Sequence, residues 1–329
     1  MKVLAAQTTA ATFSWTDRVR AHVAIARLDH WIKNVFVLPG LIIPLSVDPP
    51  PFDVQLLVRV LVGFLSIGLI ASSNYVINEV LDGPLDKLHP IKKYRPVPSG
   101  RVHIPTAYIE WIVLMLVGLA LAWLVNYPFF ITMGMLWLMG CVYNSPPLRT
   151  KDVVYLDVLS EAINNPLRFL AGWYIVGSAL VPPLSLIVSY WMVGSYFMGL
   201  KRFSEYREIG DPDLAAAYRR SFRRYSERSL LVSVMFYGAA AMLFYGAFTM
   251  RYRIELVLAF PLIAWVMALY CDLAFEQHSA AQNPEYLYKQ KPLMLAVGLC
   301  SLCMLILFFV DLPIFVDAFS PTLPMIRKF

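Results

Sequence analysis

Charge is scarce in this chain: Asp, Glu, Lys and Arg make up 15% of its residues, against about 25% in soluble domains. Apolar residues reach 59%, above the about 45–50% of soluble domains. At 329 residues a soluble protein needs roughly two domains, each with a polar shell, and the charges for those shells are missing. The apolar content also excludes disorder. Cysteine is nearly absent, and Cys141, Cys271, Cys300 and Cys303 all lie in apolar runs, which excludes a disulfide scaffold. The Cys300/Cys303 pair has no partner cluster and reads as packing. The early apolar run Val3 to Ala6 is too short for a signal peptide, so none is expected. No fixed-period repeat is visible. What remains is an all-α, polytopic membrane protein.

A spanning helix needs about 20 mostly apolar residues. Windows of that size predict nine transmembrane helices, near 31–48, 54–81, 105–125, 128–144, 155–178, 183–203, 229–249, 254–275 and 292–314. The basic residues test this count. Lys2, Arg18, Arg20, Arg27 and Lys33 precede or open the first helix. Further groups follow helices two (Lys87 to Arg101), four (Arg149, Lys151), six (Lys201 to Arg228) and eight (Lys289, Lys291). The alternation places the amino terminus in the cytoplasm and the carboxyl terminus outside. The net charge of +6 is therefore an orientation signal, and no nucleic-acid partner is expected. The expected organisation is a cytoplasmic segment over 1–26, a nine-helix domain over 27–318 and a non-cytoplasmic tail over 319–329. Within the domain, Asp211-Pro212-Asp213 reads as a helix start. Leu214, Tyr218, Phe222 and Tyr225 recur among arginines, so 211–228 reads as a basic amphipathic helix on the inner membrane surface.

Ionisable groups inside spans are costly and mark cavities. The densest cluster ends helix two: Asn74, Asn78 and Asp82 are four apart, each about 40° from the last, on one helical face. Gly83-Pro84 is expected to interrupt the helix and return Asp86 toward the same point. Two carboxylates and amide oxygens suit Mg²⁺, which leaves positions for phosphate oxygens. Lys92, Lys93 and Arg95 follow, adding cations for phosphate. In helix five Asp157, Glu161, Asn164 and Arg168 share a stripe about 60° wide. This stripe reads as a cavity wall or as a helix–helix seam. Lys33 and Asn34, Tyr143, Arg149 and Lys151, and Lys201, Arg202 and Glu205 occupy other ends expected on the cytoplasmic side. Together they describe a cytoplasm-facing cavity for a phosphorylated, partly lipidic substrate.

Asn78-Glu79-x-x-Asp82-x-x-x-Asp86 resembles the NDxxDxxxD signature of the UbiA superfamily, intramembrane prenyltransferases with nine helices. A closer likeness, to the decaprenyl-phosphate phosphoribosyltransferases, is carried by His89-Pro90 through Arg95-Pro96 and by Arg27 through Asn34. Lys201-Arg202-Phe-Ser-Glu205 and Asn283-Pro284-Glu285 through Lys291-Pro292 add to it. Glu79 stands where the signature has Asp. The second Asp-rich motif of the superfamily's aromatic prenyltransferases is replaced here by Lys201-Arg202. The resemblance implies Mg²⁺-dependent transfer of a 5-phosphoribosyl group from phosphoribosyl pyrophosphate to a polyprenyl phosphate, in a bacterial inner membrane. Asn78, Asp82 and Asp86 would be the metal-holding, catalytic residues. Lys33, Asn34, Asn74, Glu79, His89, Lys93, Arg95, Tyr143, Lys151, Asp157, Glu161, Arg168, Lys201, Arg202 and Glu205 would contact substrate. The alternative is a UbiA-type prenyltransferase with a small acceptor. Membrane lipids are the expected surroundings, and a homo-oligomer is left open.

Overall fold

A computed structural model describes residues 14–87, 92–178, 180–282 and 284–320. Among them there is no strand. The helices in chain order are α1 (Trp15–Ile25), α2 (Leu38–Val47), α3 (Val54–Asp86), α4 (Ile104–Val125), α5 (Tyr127–Asn144), α6 (Leu156–Ala162) and α7 (Asn164–Ile175). They continue with α8 (Leu184–Ile209), α9 (Pro212–Tyr218), α10 (Glu227–Tyr252), α11 (Phe260–Leu273), α12 (Lys291–Phe309) and α13 (Pro313–Ala318). Caps explain several starts. Asp53 accepts a hydrogen bond from Leu56 N at 2.8 Å, Asn126 from Phe129 N at 2.9 Å, and Ser226 and Ser229 cap α10 reciprocally.

Six stretches among the described residues are long and apolar enough to cross a membrane: Trp15–Val47, Val54–Asp86, Ile104–Val125, Glu227–Tyr252, Ile254–Leu273 and Lys291–Phe309. The other segments expected to span are helical but more polar or broken. α8 ends in Lys201, Arg202 and Glu205. The expected helix over 155–178 is two helices, α6 and α7, parted at Ile163. Pro166 has no N–H to offer the Ala162 carbonyl, so the ladder cannot run through. Large apolar side chains stand exposed along the long helices, Leu61 and Val232 among them, as a lipid-facing surface requires. The chain is a multi-pass membrane protein.

The molecule divides into two compact units. One holds the chain up to Asn34 together with Phe52–Leu148; the other holds Val35–Pro51 and the chain from Arg149 onward. In the first, α3 meets α4 through small hydroxylated residues. Ser66 Oγ donates to Gly118 O and Ser73 Oγ to Trp111 O, both at 2.8 Å. In the second, α8 packs on α10 around Leu200, Phe203, Leu230 and Tyr237. There α2 lies against α7 with glycine on both sides. A Cβ on Gly40 would fall 1.9 Å from Phe169 O, and one on Gly172 would fall 2.2 Å from Val37 O. Both obstacles are backbone and cannot swing aside. Gly172→Ala is therefore expected to cost about 1–3 kcal/mol through overpacking, read as a lowered unfolding temperature of the purified protein.

The segment 211–228 is corrected by the structure. It is α9, an extended Arg219 and a tight turn over Arg220–Arg224, not one helix. Phe222 and Tyr225 are buried in protein, with Phe222 5.4 Å from the Tyr206 ring, and only Leu214 of that apolar stripe is exposed. The cause is a buried acceptor, Asp157, which draws in the hydroxyls of Ser221 and Tyr225.

Candidate active site

The first unit carries the carboxylate–amide stripe. Contrary to expectation, α3 runs on through Gly83-Pro84 to Asp86 without reversing. Pro84 leaves the Val80 carbonyl without its helical N–H, yet the helix continues past that one lost bond. Asn78, Asp82 and Asp86 thus stay on one face by four-residue spacing alone. Asn78 Nδ2 donates to Asn144 Oδ1 at 2.7 Å, leaving the Asn78 carbonyl oxygen for a cation. Asn144 Nδ2 in turn donates to Gly140 O at 2.9 Å. Asn74 donates to Leu136 O at 3.0 Å, and its Oδ1 is buried without a hydrogen bond. Asp82 is half-buried, and Asp86 is buried 2.8 Å from Arg95 Nη1.

Glu79 differs from its neighbours. It is 2% exposed, accepts from Val97 N at 3.2 Å and lies 3.8 Å from Arg27 Nε. Its carboxylate ties down the loop after α3. Around the same end, Lys33 Nζ lies 3.3 Å from His30 Nδ1, and the His30 ring stands edge-on to Tyr75. Asn34 is buried with an unbonded Oδ1, Tyr143 is half-buried, and Lys93 is exposed over the Tyr94 ring. His89 lies outside the described residues. Asn144 was not singled out from the sequence; a buried amide at the end of an apolar helix, before Ser145-Pro146-Pro147, was the available signal.

In the second unit Arg202 is the hub. It is 2% exposed, with Glu161 Oε2 at 2.7 Å, Glu205 Oε2 at 3.1 Å and Asp157 Oδ2 at 3.4 Å. Asp157 is fully buried and also accepts from Tyr225 Oη at 2.7 Å and Ser221 Oγ at 3.0 Å. Burial and the facing Asp157 carboxylate push the Tyr225 phenol far above its ordinary range, so it stays a proton donor. Ser221 is a further residue that sequence reasoning passed over, and Tyr225 was read there only as part of a membrane-facing stripe. The helix-five stripe is divided: Asp157 and Glu161 meet Arg202, whereas Arg168 is buried on α7 with no hydrogen bond at its Nε. Asn164 donates to Glu161 O at 3.0 Å. Lys151 is buried and Lys201 half-buried.

Among the described residues no group of three or more His, Cys, Asp or Glu is placed to hold a metal by itself. The oxygen set of Asn78, Asp82 and Asp86 nevertheless fits a hard divalent ion that takes few protein ligands and completes its shell with phosphate.

A family model described as the UbiA prenyltransferase family matches residues 35–291. The chain belongs to that family. Its UbiA fold is seen again in a UbiA homolog from Archaeoglobus fulgidus bound to DMAPP and Mg²⁺. That likeness has a TM-score of 0.65 at 21% identity, covering 90% of this chain and 100% of the other. Among UbiA-related sequences, a decaprenyl-phosphate phosphoribosyltransferase of Mycobacterium tuberculosis is 31% identical over 229 residues, 68% of this chain and 72% of that protein. The uncharacterized protein y4nM of Sinorhizobium fredii is 27% identical over 168 residues, 51% of this chain. The chain spans only 30% of y4nM's length.

Proposed function

We propose that this UbiA family member transfers a 5-phosphoribosyl group from phosphoribosyl pyrophosphate to a polyprenyl phosphate. The observation that carries this reading is the state of the α8 end. There Asp157, Glu161 and Glu205 all face the buried guanidinium of Arg202, which engages their oxygens, and among the described residues they form no acidic group placed for a second metal and a prenyl diphosphate. The likeness to the mycobacterial phosphoribosyltransferase supports it.

In this reading Asn78, Asp82 and Asp86 hold Mg²⁺, which when bound supplies positive charge to the leaving pyrophosphate. Lys33, Lys93 and Arg95 bind phosphate oxygens, and Arg95 moves from Asp86 to do so. Lys151 and Lys201 bind the remaining phosphates. Arg202 is a positioning residue that fixes Asp157, Glu161 and Glu205. Asn74, with its unbonded oxygen, orients a sugar hydroxyl. An acceptor phosphate oxygen forms the new bond to C1 as the C1–pyrophosphate oxygen bond breaks, through a centre with oxocarbenium character. The acceptor is already an anion, so no strong general base is needed. The nine-crossing topology, with a cytoplasmic amino terminus and a site open to the cytoplasm of a bacterial inner membrane, belongs to the same proposal.

The test is direct. Purified protein given Mg²⁺, polyprenyl phosphate and radiolabelled phosphoribosyl pyrophosphate is expected to move label into the organic phase. The family description favours a second reading, prenyl transfer to a small acceptor. Unlabelled lipid together with turnover of a prenyl diphosphate would establish it instead.

A further inference from the structure

Within the second unit, a groove of about 530 Å³ runs along the first turns of α10, and neither Arg202 nor its three carboxylates line it. Its lining follows two adjacent rows of that helix, Arg228–Val232–Phe236 and Ser229–Ser233–Tyr237, each with four-residue spacing, and Tyr155 and Leu159 form the opposite bank. The groove is polar at one end and apolar along the rest. Val232 and Phe236 are 62% and 65% exposed, so the apolar part opens to lipid. The polar end lies where α10 begins, with the Ser226 hydroxyl and the Arg228 guanidinium. The neighbouring acid, Glu227, is engaged 3.5 Å from Arg207 and so does not cancel Arg228. Arg223 and Arg224 stand exposed one turn earlier.

We propose that this groove binds one phospholipid with an anionic headgroup, its phosphate at Arg228 and Ser226 and one chain along Val232 and Phe236. Inside a bilayer an apolar trough holds no advantage over any other lipid-facing surface, because lipid tails are as apolar as its walls. Selection therefore falls to the head, where a surplus of arginine at the start of a helix favours a phosphate whose charge is not cancelled by a cation on the same headgroup. The groove also touches the hub behind it. Tyr155 holds a left-handed backbone, φ 65°, and its N–H donates at 2.7 Å to the Tyr225 hydroxyl, which donates to Asp157. A lipid lying against Tyr155 supports that chain of bonds from the membrane side.

Native mass spectrometry of the full chain, exchanged into phosphatidylglycerol or phosphatidylcholine with identical acyl chains, tests the site. Wild type is expected to retain one phosphatidylglycerol at about five-fold lower concentration than phosphatidylcholine. Arg228→Ala is expected to abolish that preference. Val232→Trp, an exposed position where the indole fills the trough, is expected to abolish retention of both lipids. Arg251→Ala, at the far end of α10, is expected to change nothing, and monodisperse elution identifies folded variants. Equal retention by wild type and both groove variants overturns the proposal. So does competition of polyprenyl phosphate for the groove in place of phosphatidylglycerol, which would make it a substrate-tail channel. A change of oligomeric mass in Val232→Trp, which would make it an interface between copies, overturns it as well.

Discussion

Asp82→Ala is expected to lower turnover about 10²–10³-fold with little change in unfolding temperature. Asp82 sits in the middle of the oxygen stripe on α3. On the same face Asn78 is held by Asn144 and Asp86 by Arg95. Asp82 is half-buried near the helix end, so its removal leaves no cavity in a packed core. Electrostatic groups fixed before the reaction contribute most where charge develops, in the proposed reaction at the departing pyrophosphate. Steady-state rates across a Mg²⁺ titration check this. Asp82→Asn keeps the shape but loses the charge, and is expected to need more Mg²⁺ for half-maximal rate. Glu79→Gln provides the contrast: its carboxylate faces Val97 N and Arg27, so the variant is expected to lose stability before it loses rate. Near-wild-type turnover by Asp82→Ala would remove the metal site from α3.

The second large effect concerns the fold. Arg202→Met is expected to destabilise the protein by about 3–5 kcal/mol, because it strands carboxylates in a closed interior. Asp157 has no exposure at all, so water cannot substitute for the lost guanidinium. Arg202→Lys retains the charge but not the planar fork that reaches three carboxylates, and is expected to recover only part of the loss. Adding Asp157→Asn to Arg202→Met should restore some stability, since the stranded charge is then gone. Thermal unfolding of the purified proteins reads all three. An unchanged unfolding temperature in Arg202→Met, with a raised KM for phosphoribosyl pyrophosphate, would make Arg202 a substrate ligand.

The α3 stripe was legible because helical periodicity is local: residues four apart share a face whatever surrounds them. The continuation through Pro84 was not, because whether a helix absorbs one lost hydrogen bond depends on its tertiary packing. Helix five was legible as polar but not as broken. The outcome at Asn164 and Arg168 depends on Pro166 and on neighbours far along the chain. The least legible feature was the partnering of charge. Arg202 and Glu161 lie 41 positions apart, and nothing in their spacing says that they meet at 2.7 Å. The same limit turned the aromatic stripe of 211–228 outward in the sequence reading. Only the presence of Asp157 beneath it shows why Phe222 and Tyr225 turn inward.

The exchange of Val35–Pro51 into the second unit sets a schedule for biogenesis. α2 leaves the ribosome about 130 residues before the glycine face of α7 that it seals against, a wait on the order of ten seconds at translation speed. During that interval a short, proline-interrupted segment must persist beside the translocation machinery with its docking surface uncovered. Insertion factors or neighbouring lipid have to shelter it, so α2 stays open to quality control until α7 emerges.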